Sequence, residues 1–190
     1  MENITLGFAM TGSFCTFRPV IRCLRQLKER YPKIIPIMSE NAYFLDSRFG
    51  EAEVFIEEVE TICERPILKT IPEVEPFGPK ELLDLLVVAP CTGNTLAKLT
   101  AGVADSCATF ACKAHLRNGR PIVLAVSTND GLAAAARNIG DLLNRKHYFF
   151  VPFGQDDPVK KPTSLVADFS RLPDTVDAAL QGIQIQPLLL

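Results

Sequence analysis

Polar side chains that can bind a ligand follow an apolar run near the middle of the chain. Residues 85–89 are all apolar, and Thr92, Asn94 and Thr95 come shortly after them. Open α/β sheets bind ligands outside the carboxyl ends of their strands. Lys98 lies one helical turn past Asn94, where it could pair with a phosphate or carboxylate or remain solvated. We therefore predict a binding site at this strand end.

Two further turns carry residue types suited to anions and carbonyl groups. A Thr-Gly-Ser turn at residues 11–13 follows an apolar run, and its N–H groups and hydroxyls would face the positive end of the next helix. Such a turn suits a phosphate, but it is also an ordinary helix N-cap. Asn129 follows another apolar run and, like Asn94, could bind a carboxylate or carbonyl group or merely cap a helix. Both interpretations stay open for each of these residues.

Hydrophobic periodicity predicts the elements that position these turns. Strands are predicted at residues 4–10, 33–38, 66–71, 85–89, 121–127 and 147–153. Helices are predicted at about residues 16–31, 51–63, 95–100 and 106–118, with an alanine-rich helix that ends near residue 144. Residues 72–79 contain three prolines and a glycine, so they are predicted to form a loop.

Strands of about six residues that alternate with helices predict a three-layer α/β fold with a doubly wound parallel sheet. Crossover connections bring like ends of parallel strands to one side, so the polar turns should lie along a single edge. Residues 1–190 are expected to form one domain, with residues 154–190 as a C-terminal appendage. In that appendage, helical stretches are predicted from Thr163 and at residues 174–180.

The composition is that of a globular protein with no excess of either charge. The 190 residues include 20 basic and 22 acidic side chains, for a formal net charge of -2 at pH 7. This balance argues against a nucleic-acid partner. Met1-Glu2-Asn3 lacks the basic region of a signal peptide, and no apolar run approaches the ~20 residues that cross a bilayer. A cytoplasmic protein without membrane contact is expected.

The six cysteines show no Cys-x-x-Cys spacing, so we expect small buried hydrophobic residues rather than disulfides or a metal site. Cys15 and Cys91 fall at predicted strand-to-helix turns, where a helix N-terminus can lower the pKa of a thiol. His115 ends a predicted helix and His147 begins a predicted strand. Both histidines are expected to be structural rather than catalytic.

Several short segments together form a specific set of motifs. They are Met10-Thr11-Gly12-Ser13, Met38-Ser39, the longer Ala-Pro-Cys-Thr-Gly-Asn-Thr-Leu-Ala-Lys at residues 89–98, and Gly102-Val103-Ala104-Asp105. This set resembles the homo-oligomeric FMN-binding flavoproteins, a family that includes peptidyl-cysteine decarboxylases. The resemblance implies a Rossmann-like flavoprotein fold with six strands in the order 3-2-1-4-5-6. It also implies a homo-oligomer whose sites lie between protomers.

The same resemblance implies which residues bind FMN. They are Gly12, Ser13, Phe14 and Ser39 near the phosphate, Thr92, Asn94 and Thr95 near the flavin ring, and Lys98 as a further contact. Asn94 and Asn129 are the residues expected to take part in catalysis, through a hydrogen bond to a substrate carboxylate or a flavin carbonyl.

The similarity extends over nearly the whole chain to family members that form dipicolinate in spore-forming bacteria, as residues 116–121, 126–130 and 151–156 indicate. It implies the oxidation of dihydrodipicolinate, a small dicarboxylate, to dipicolinate during sporulation. It also implies a second chain, the A chain, which resembles a nicotinamide-dependent dehydrogenase and would bring NAD(P). Amide and hydroxyl side chains cannot accept a hydride, so a flavin or nicotinamide must do so.

Two departures from the family's motifs bear on the chemistry. The decarboxylases carry a catalytic histidine where this chain has Pro76-Phe77-Gly78, and their Pro-x-Met-Asn motif is Val126-Ser127-Thr128-Asn129 here. Decarboxylation of a cysteine-derived acid with FMN is therefore the less favoured alternative. A further alternative is that the chain is a non-catalytic scaffold with a flavoprotein fold that supports the A chain.

Three cations could bind the second carboxylate of a dianionic substrate. They are Arg120, Lys160 and Lys161. Lysines beside a proline are more often solvated, so the sequence does not favour this role for the lysine pair.

Overall fold

One sheet lies at the centre of the computed structural model, which describes residues 3–190. Its strands in the described residues are β1 (Thr5–Met10), β2 (Lys33–Met38), β3 (Leu85–Cys91), β4 (Ile122–Thr128), β5 (Tyr148–Phe150), β6 (Phe153–Gly154) and β7 (Leu165–Ala167). The side chains of β3 are all buried, as are those of β4 except at Thr128. The apolar runs of the sequence therefore become the middle of the sheet.

The strands β2, β1, β3 and β4 lie side by side in this order and are parallel. β5 continues the parallel sheet next to the first half of β4. The predicted strand at residues 66–71 is reduced to one parallel bridge, between Leu68 and Ile37 of β2. The α/β class and the predicted order 3-2-1-4-5-6 are confirmed, with the third strand reduced to that bridge.

The second half of β4 has a different neighbour. β5 ends at Phe150, and Ser127 and Thr128 pair instead with β7, which is antiparallel and also pairs with β6. The helix predicted from Thr163 is therefore wrong. Three apolar residues are too few to show a helical or strand period, and the free edge of β4 offers them backbone hydrogen bonds.

The helices cover both faces of the sheet. They are α1 (Phe17–Arg30), α2 (Glu40–Phe44), α3 (Ala52–Cys63), α4 (Ile71–Val74), α5 (Gly93–Ala101), α6 (Cys107–Leu116), α7 (Ala134–Leu143) and α8 (Leu172–Ala179). α1 buries Val20, Ile21, Leu24 and Leu27, which recur at helical spacing and pack on the sheet.

One predicted loop contains helical structure. α4 overlaps residues 72–79, and a 3-10 turn follows at Glu75–Phe77. Pro72 is tolerated because it stands in the first turn of α4, where its missing N–H has no helical partner. Thr70 and Glu73 form a capping box that fixes the start of this helix.

The residues after 154 join the same core. Leu172 and Val176 of α8 are fully buried, and the helix contacts α1, β4 and β5. In the part of the chain that the structure describes, no helix is both long and apolar enough to cross a membrane.

Candidate functional site

The polar turns meet at the carboxyl edge of the sheet and are bonded to one another. The N–H of Ser39, after β2, donates to the carbonyl of Met10 at 3.0 Å, and the N–H of Thr11, after β1, donates to the carbonyl of Pro90 at 3.3 Å. The Thr11 hydroxyl accepts from the N–H of Thr92, after β3, at 3.1 Å. The parallel topology thus brings residues that are distant in sequence to one edge.

The turn between β1 and α1 offers free hydrogen-bond donors. The Ser13 hydroxyl lies 2.8 Å from that of Ser127 on β4, which links this turn to the neighbouring strand. Among residues 3–190, the N–H groups of Gly12, Phe14 and Cys15 have no acceptor. They lie just before the first turn of α1, where the helix dipole favours an anion.

Thr92 directly precedes α5, and its hydroxyl contacts Thr95 in the first turn of that helix. Its hydroxyl accepts from the N–H of Thr95 at 3.2 Å and lies 2.9 Å from the Thr95 hydroxyl. Thr92 is therefore the N-cap of α5, and Asn94 lies inside the helix with its side chain exposed. The capping interpretation of Asn94 is wrong, because its amide has no partner in the described residues.

Asn129 is also free. It is exposed in the turn between β4 and α7, it precedes the N-cap Ala133 by four residues, and no described group bonds to its amide. Its carbonyl accepts from the Thr163 hydroxyl at 2.7 Å. The capping interpretation is wrong here too, so both asparagine amides are available to a ligand.

Gly93 allows the turns after β3 and β4 to approach each other. A Cβ at this position would lie 2.6 Å from the Thr128 hydroxyl and 2.7 Å from a carboxylate oxygen of Asp130. These two side chains are themselves hydrogen-bonded. Only glycine fits this contact without displacing them.

Two adjoining cavities open at this edge and share Gly12, Thr92 and Asn94. The first, of about 530 Å³, lies between the turns after β1, β3 and β4 and the connection from β6 to β7; we call it the Ser127 cavity. The second, of about 440 Å³, lies between Ser39 on one side and Thr95 and Lys98 on the other; we call it the Ser39 cavity. Both are of a size that small-molecule sites commonly have.

Most predicted site residues line these cavities. They are Gly12, Ser13, Ser39, Thr92, Asn94, Thr95, Lys98 and Asn129. Phe14 does not, because its ring packs against that of Phe17 with centroids 5.4 Å apart. The backbone N–H of Phe14 has no acceptor in the described residues, so it is available to a ligand.

The cavities also hold two carboxylates, Asp156 and Glu40, that the sequence patterns do not mark as site residues. In the Ser127 cavity, Lys161 Nζ lies 2.9 Å from Asp156, and hydrogen bonds from Ser164 and Lys161 lower the pKa of Asp156. In the Ser39 cavity, Glu40 accepts from the N–H of Cys107 at 3.1 Å. No periodicity marks these carboxylates, since their loops reach the edge only through tertiary structure.

Lys98 lines the Ser39 cavity and forms an ion pair with Asp105, which also lines it. Its ammonium lies 2.7 Å from Asp105, and the hydrogen bond it donates lowers the pKa of that carboxyl. An ammonium has three N–H donors, so two remain for a ligand.

Neither histidine reaches the cavities. His115 is fully buried on α6 with Nε2 3.1 Å from the Pro121 carbonyl, and burial lowers its pKa to about 4. His147 is exposed at the start of β5. Phe77 is buried against the core, so Pro76-Phe77-Gly78 offers no polar side chain to either cavity.

The two cysteines at strand-to-helix turns differ. Cys91 is fully buried, and burial raises the pKa of its thiol well above the usual value, which is the opposite of an activated thiol. Cys15 is exposed at the rim of the Ser127 cavity.

Similarity to known proteins covers the whole chain. The chain is 40% identical over 190 residues to the B subunit of dipicolinate synthase from Bacillus subtilis, covering 100% of this chain and 95% of that protein. The crystal structure of the B subunit of dipicolinate synthase from Bacillus halodurans superposes with a TM-score of 0.91 at 42% identity, over 100% of this chain and 97% of that one.

A more distant structure shares the fold. The FMN-dependent cysteine decarboxylase SpaF has a TM-score of 0.70 at 21% identity, over 94% of this chain and 98% of its own. The sequence model of the family described as Flavoprotein matches residues 1–180. The chain therefore belongs to the flavoprotein family.

Proposed function

We propose that this chain is the B subunit of a dipicolinate synthase and takes part in the oxidation of dihydrodipicolinate to dipicolinate in sporulating bacteria. The observation that carries the proposal is the full-length similarity to two proteins of that name. The edge of the sheet supports it, because the cavities there hold free amides, free N–H groups and two lysines, Lys98 and Lys161, that can bind a small dicarboxylate.

The reaction makes the ring aromatic by removing one hydride and one proton. Hydroxyl, amide and ammonium groups cannot accept a hydride. The side chains of this chain would therefore bind and orient the ring. Asn94 and Asn129, whose amides have no partner among residues 3–190, take the orienting role by hydrogen bonds to a substrate carboxylate or a flavin carbonyl.

The residues present fit FMN. The free N–H groups of Gly12, Phe14 and Cys15, with the Ser13 hydroxyl, suit its phosphate at the start of α1. Ser39 remains proposed as a further contact of the phosphate, and Thr92, Thr95 and Lys98 line the cavity that remains for the rest of the cofactor. Bound FMN would supply the two-electron acceptor that the side chains lack.

A partner chain follows from the same proposal. A B subunit implies an A chain, and an A chain that resembles a nicotinamide-dependent dehydrogenase would bring NAD(P) to the complex. Self-association is supported by exposed apolar residues at the end of α2, where Phe44 is 65% exposed and Leu45 is 49% exposed.

An assay of the two chains tests the function. Dipicolinate formation from dihydrodipicolinate would be followed by the ultraviolet absorbance of the aromatic ring, with the A chain alone, this chain alone and the mixture. Each sample would be measured with and without FMN and NADP. The proposal expects the mixture to exceed the sum of the separate chains. Full activity of the A chain alone would favour the scaffold alternative instead.

FMN binding is tested separately. Titration of this chain into FMN should quench the flavin fluorescence, and Ser13→Ala should raise the Kd because it removes one phosphate donor. An absence of quenching by the unaltered chain would overturn the cofactor while leaving the dipicolinate function open. Release of carbon dioxide from a cysteine-derived acid would support the decarboxylase alternative, for which no histidine lines either cavity in the described chain.

A further inference from the structure

A third cavity lies away from the carboxyl edge, in the groove between α5 and α6. Its volume is about 480 Å³, and the connection from α7 to β5 borders it with Arg145 and Lys146. Tyr148, the first residue of the parallel strand β5, lines it, so we call it the Tyr148 cavity. Among residues 3–190, it shares only Lys98 with the Ser39 cavity and no residue with the Ser127 cavity.

The Tyr148 cavity is strongly positive. Lys113 and Arg117 lie one helical turn apart at the end of α6, and Arg145 and Lys146 reach the same cavity from the end of α7. No aspartate or glutamate of the described chain lines it, and none of these four cations forms an ion pair within residues 3–190. Four unpaired cations therefore converge on one cavity in a chain whose formal net charge is -2.

Arg145 is held in place by the end of α5. Its guanidinium donates to the carbonyl of Leu99 at 3.3 Å and to that of Thr100 at 2.8 Å. A guanidinium has five N–H donors, so three remain for a ligand. The fold thus fixes one positive charge at the cavity before any ligand binds.

The hydroxyl of Tyr148 is the second feature that points to a ligand. Tyr148 is only 9% exposed, it lines the cavity, and its hydroxyl has no hydrogen-bond partner in the described chain. A buried tyrosine usually pairs its hydroxyl. Burial raises the pKa of Tyr148, so the hydroxyl stays protonated and can donate. Stabilisation of helix C-termini would explain the cations, but it would not explain a free hydroxyl beside them.

We infer that the Tyr148 cavity binds a nucleotide, a small anion that carries phosphate groups and an aromatic ring. The cations would bind the phosphates by charge-assisted hydrogen bonds, to which the Tyr148 hydroxyl adds a neutral one. Leu99, Val103 and Leu116 also line the cavity and offer apolar surface to the ring. The volume is in the range of small-molecule sites.

The charge of the cavity also matches an acidic segment of a partner protein. A nearly buried hydroxyl inside a cavity of this size favours the small ligand, because a segment that lies across exposed cations would not need a donor beneath them. The inference does not depend on the proposed function, since the Tyr148 cavity holds none of the asparagines and N–H groups assigned to the substrate and FMN.

The test is isothermal titration calorimetry with ADP, adenosine and pyrophosphate, with saturating FMN present to occupy the phosphate site at the start of α1. The unaltered chain should bind ADP at least about tenfold more tightly than adenosine, which lacks the charges, or pyrophosphate, which lacks the ring. Arg117→Met should weaken ADP binding about tenfold, and Tyr148→Phe should weaken it severalfold. Arg137→Met, an exposed arginine of α7 outside all three cavities, is the matched control and should bind ADP as the unaltered chain does.

Other results would overturn the inference. An unaltered chain that binds no ADP would do so and would leave the proposed function untouched. Equal losses in Arg117→Met and Arg137→Met would indicate a general effect of surface charge, and ADP binding unchanged in both Arg117→Met and Tyr148→Phe would place ADP elsewhere. Pyrophosphate that binds as tightly as ADP would exclude a role for the ring. Weakened binding of the A chain by Arg117→Met, without ADP binding by the unaltered chain, would identify an acidic protein segment as the occupant instead.

Discussion

Acidification should destabilise the fold through His115. The imidazole is fully buried, its Nε2 lies 3.1 Å from the Pro121 carbonyl, and its Nδ1 has no partner in the described residues. Burial lowers its pKa from 6.5 to about 4. As the pH falls from 6.5 to about 4, His115 gains a proton in the unfolded chain but not in the folded chain. The free energy of unfolding therefore decreases.

The size of this loss follows from the pKa values of His115 in the unfolded and folded chains. A pKa difference of one corresponds to about 1.4 kcal/mol, so His115 should cost about 3 kcal/mol once the pH is below about 4, and about 2.5 kcal/mol at about pH 4.5. At about pH 7.5 both states are neutral at this residue and the cost vanishes. Asp105 and Asp156 have lowered pKa values, so their contribution is lost mainly below about pH 4 and is separable.

Urea unfolding followed by circular dichroism measures the effect at several values between about pH 7.5 and about pH 4.5. His115→Gln is the control, because its amide can still donate to the Pro121 carbonyl but does not titrate. The unaltered chain should lose about 2.5 kcal/mol more than the variant over this range. Equal losses in the two proteins would refute the assignment of the pH dependence to His115.

Three substitutions at the site, and a control on α7, have expected outcomes that differ in kind. Gly93→Ala should lower the free energy of urea unfolding by about 1–3 kcal/mol, because its Cβ would meet Thr128; Gly140→Ala, in open space on α7, should raise it by up to about 1 kcal/mol. Thr92→Val removes the N-cap of α5 and should cost about 1 kcal/mol in the same measurement. Asn94→Leu should change that free energy by less than about 0.5 kcal/mol but raise the Kd for FMN severalfold in a fluorescence titration, since its exposed amide has no described partner.

The strands of the central sheet could be predicted because burial on both faces leaves a strong signal. β3 and β4 are continuous apolar runs, and parallel pairing then places their polar ends together. The short elements could not be predicted in the same way. β7 has only three residues and owes its existence to the free edge of β4, which no local pattern records.

Helix α4 escapes prediction for a different reason. Its start is readable in the sequence, since Thr70 and Glu73 have capping-box spacing and Pro72 stands in the first turn. The three prolines among residues 72–79 nevertheless favour a loop, unless the capping box of Thr70 and Glu73 is taken into account. Proline stops a helix when it stands in the interior, whereas at the start it is compatible with one.

Some residues of the site could be predicted from the sequence, and others are placed there only by tertiary structure. Thr92, Asn94 and Asn129 were predictable, because they directly follow strands whose carboxyl ends must meet. Lys161 and Asp156 were not, since their place in the Ser127 cavity depends on how the connection from β6 to β7 is tied to the Asn129 turn. Adjacent lysines are equivalent in a sequence, and only tertiary structure distinguishes Lys161 from Lys160.

The hydrogen bonds at this edge determine which polar groups remain for a ligand. The hydroxyls of Thr11 and Thr92 already contact other protein groups, so they mainly build the edge. The amides of Asn94 and Asn129 have no contacts in the described residues, although capping was a competing interpretation for both. Since amides neither titrate near neutral pH nor accept a hydride, the groups left free can orient a ring but cannot oxidise it. An electron acceptor beside these amides is therefore a requirement of the proposed chemistry, and the free N–H groups at the start of α1 are where its phosphate would bind.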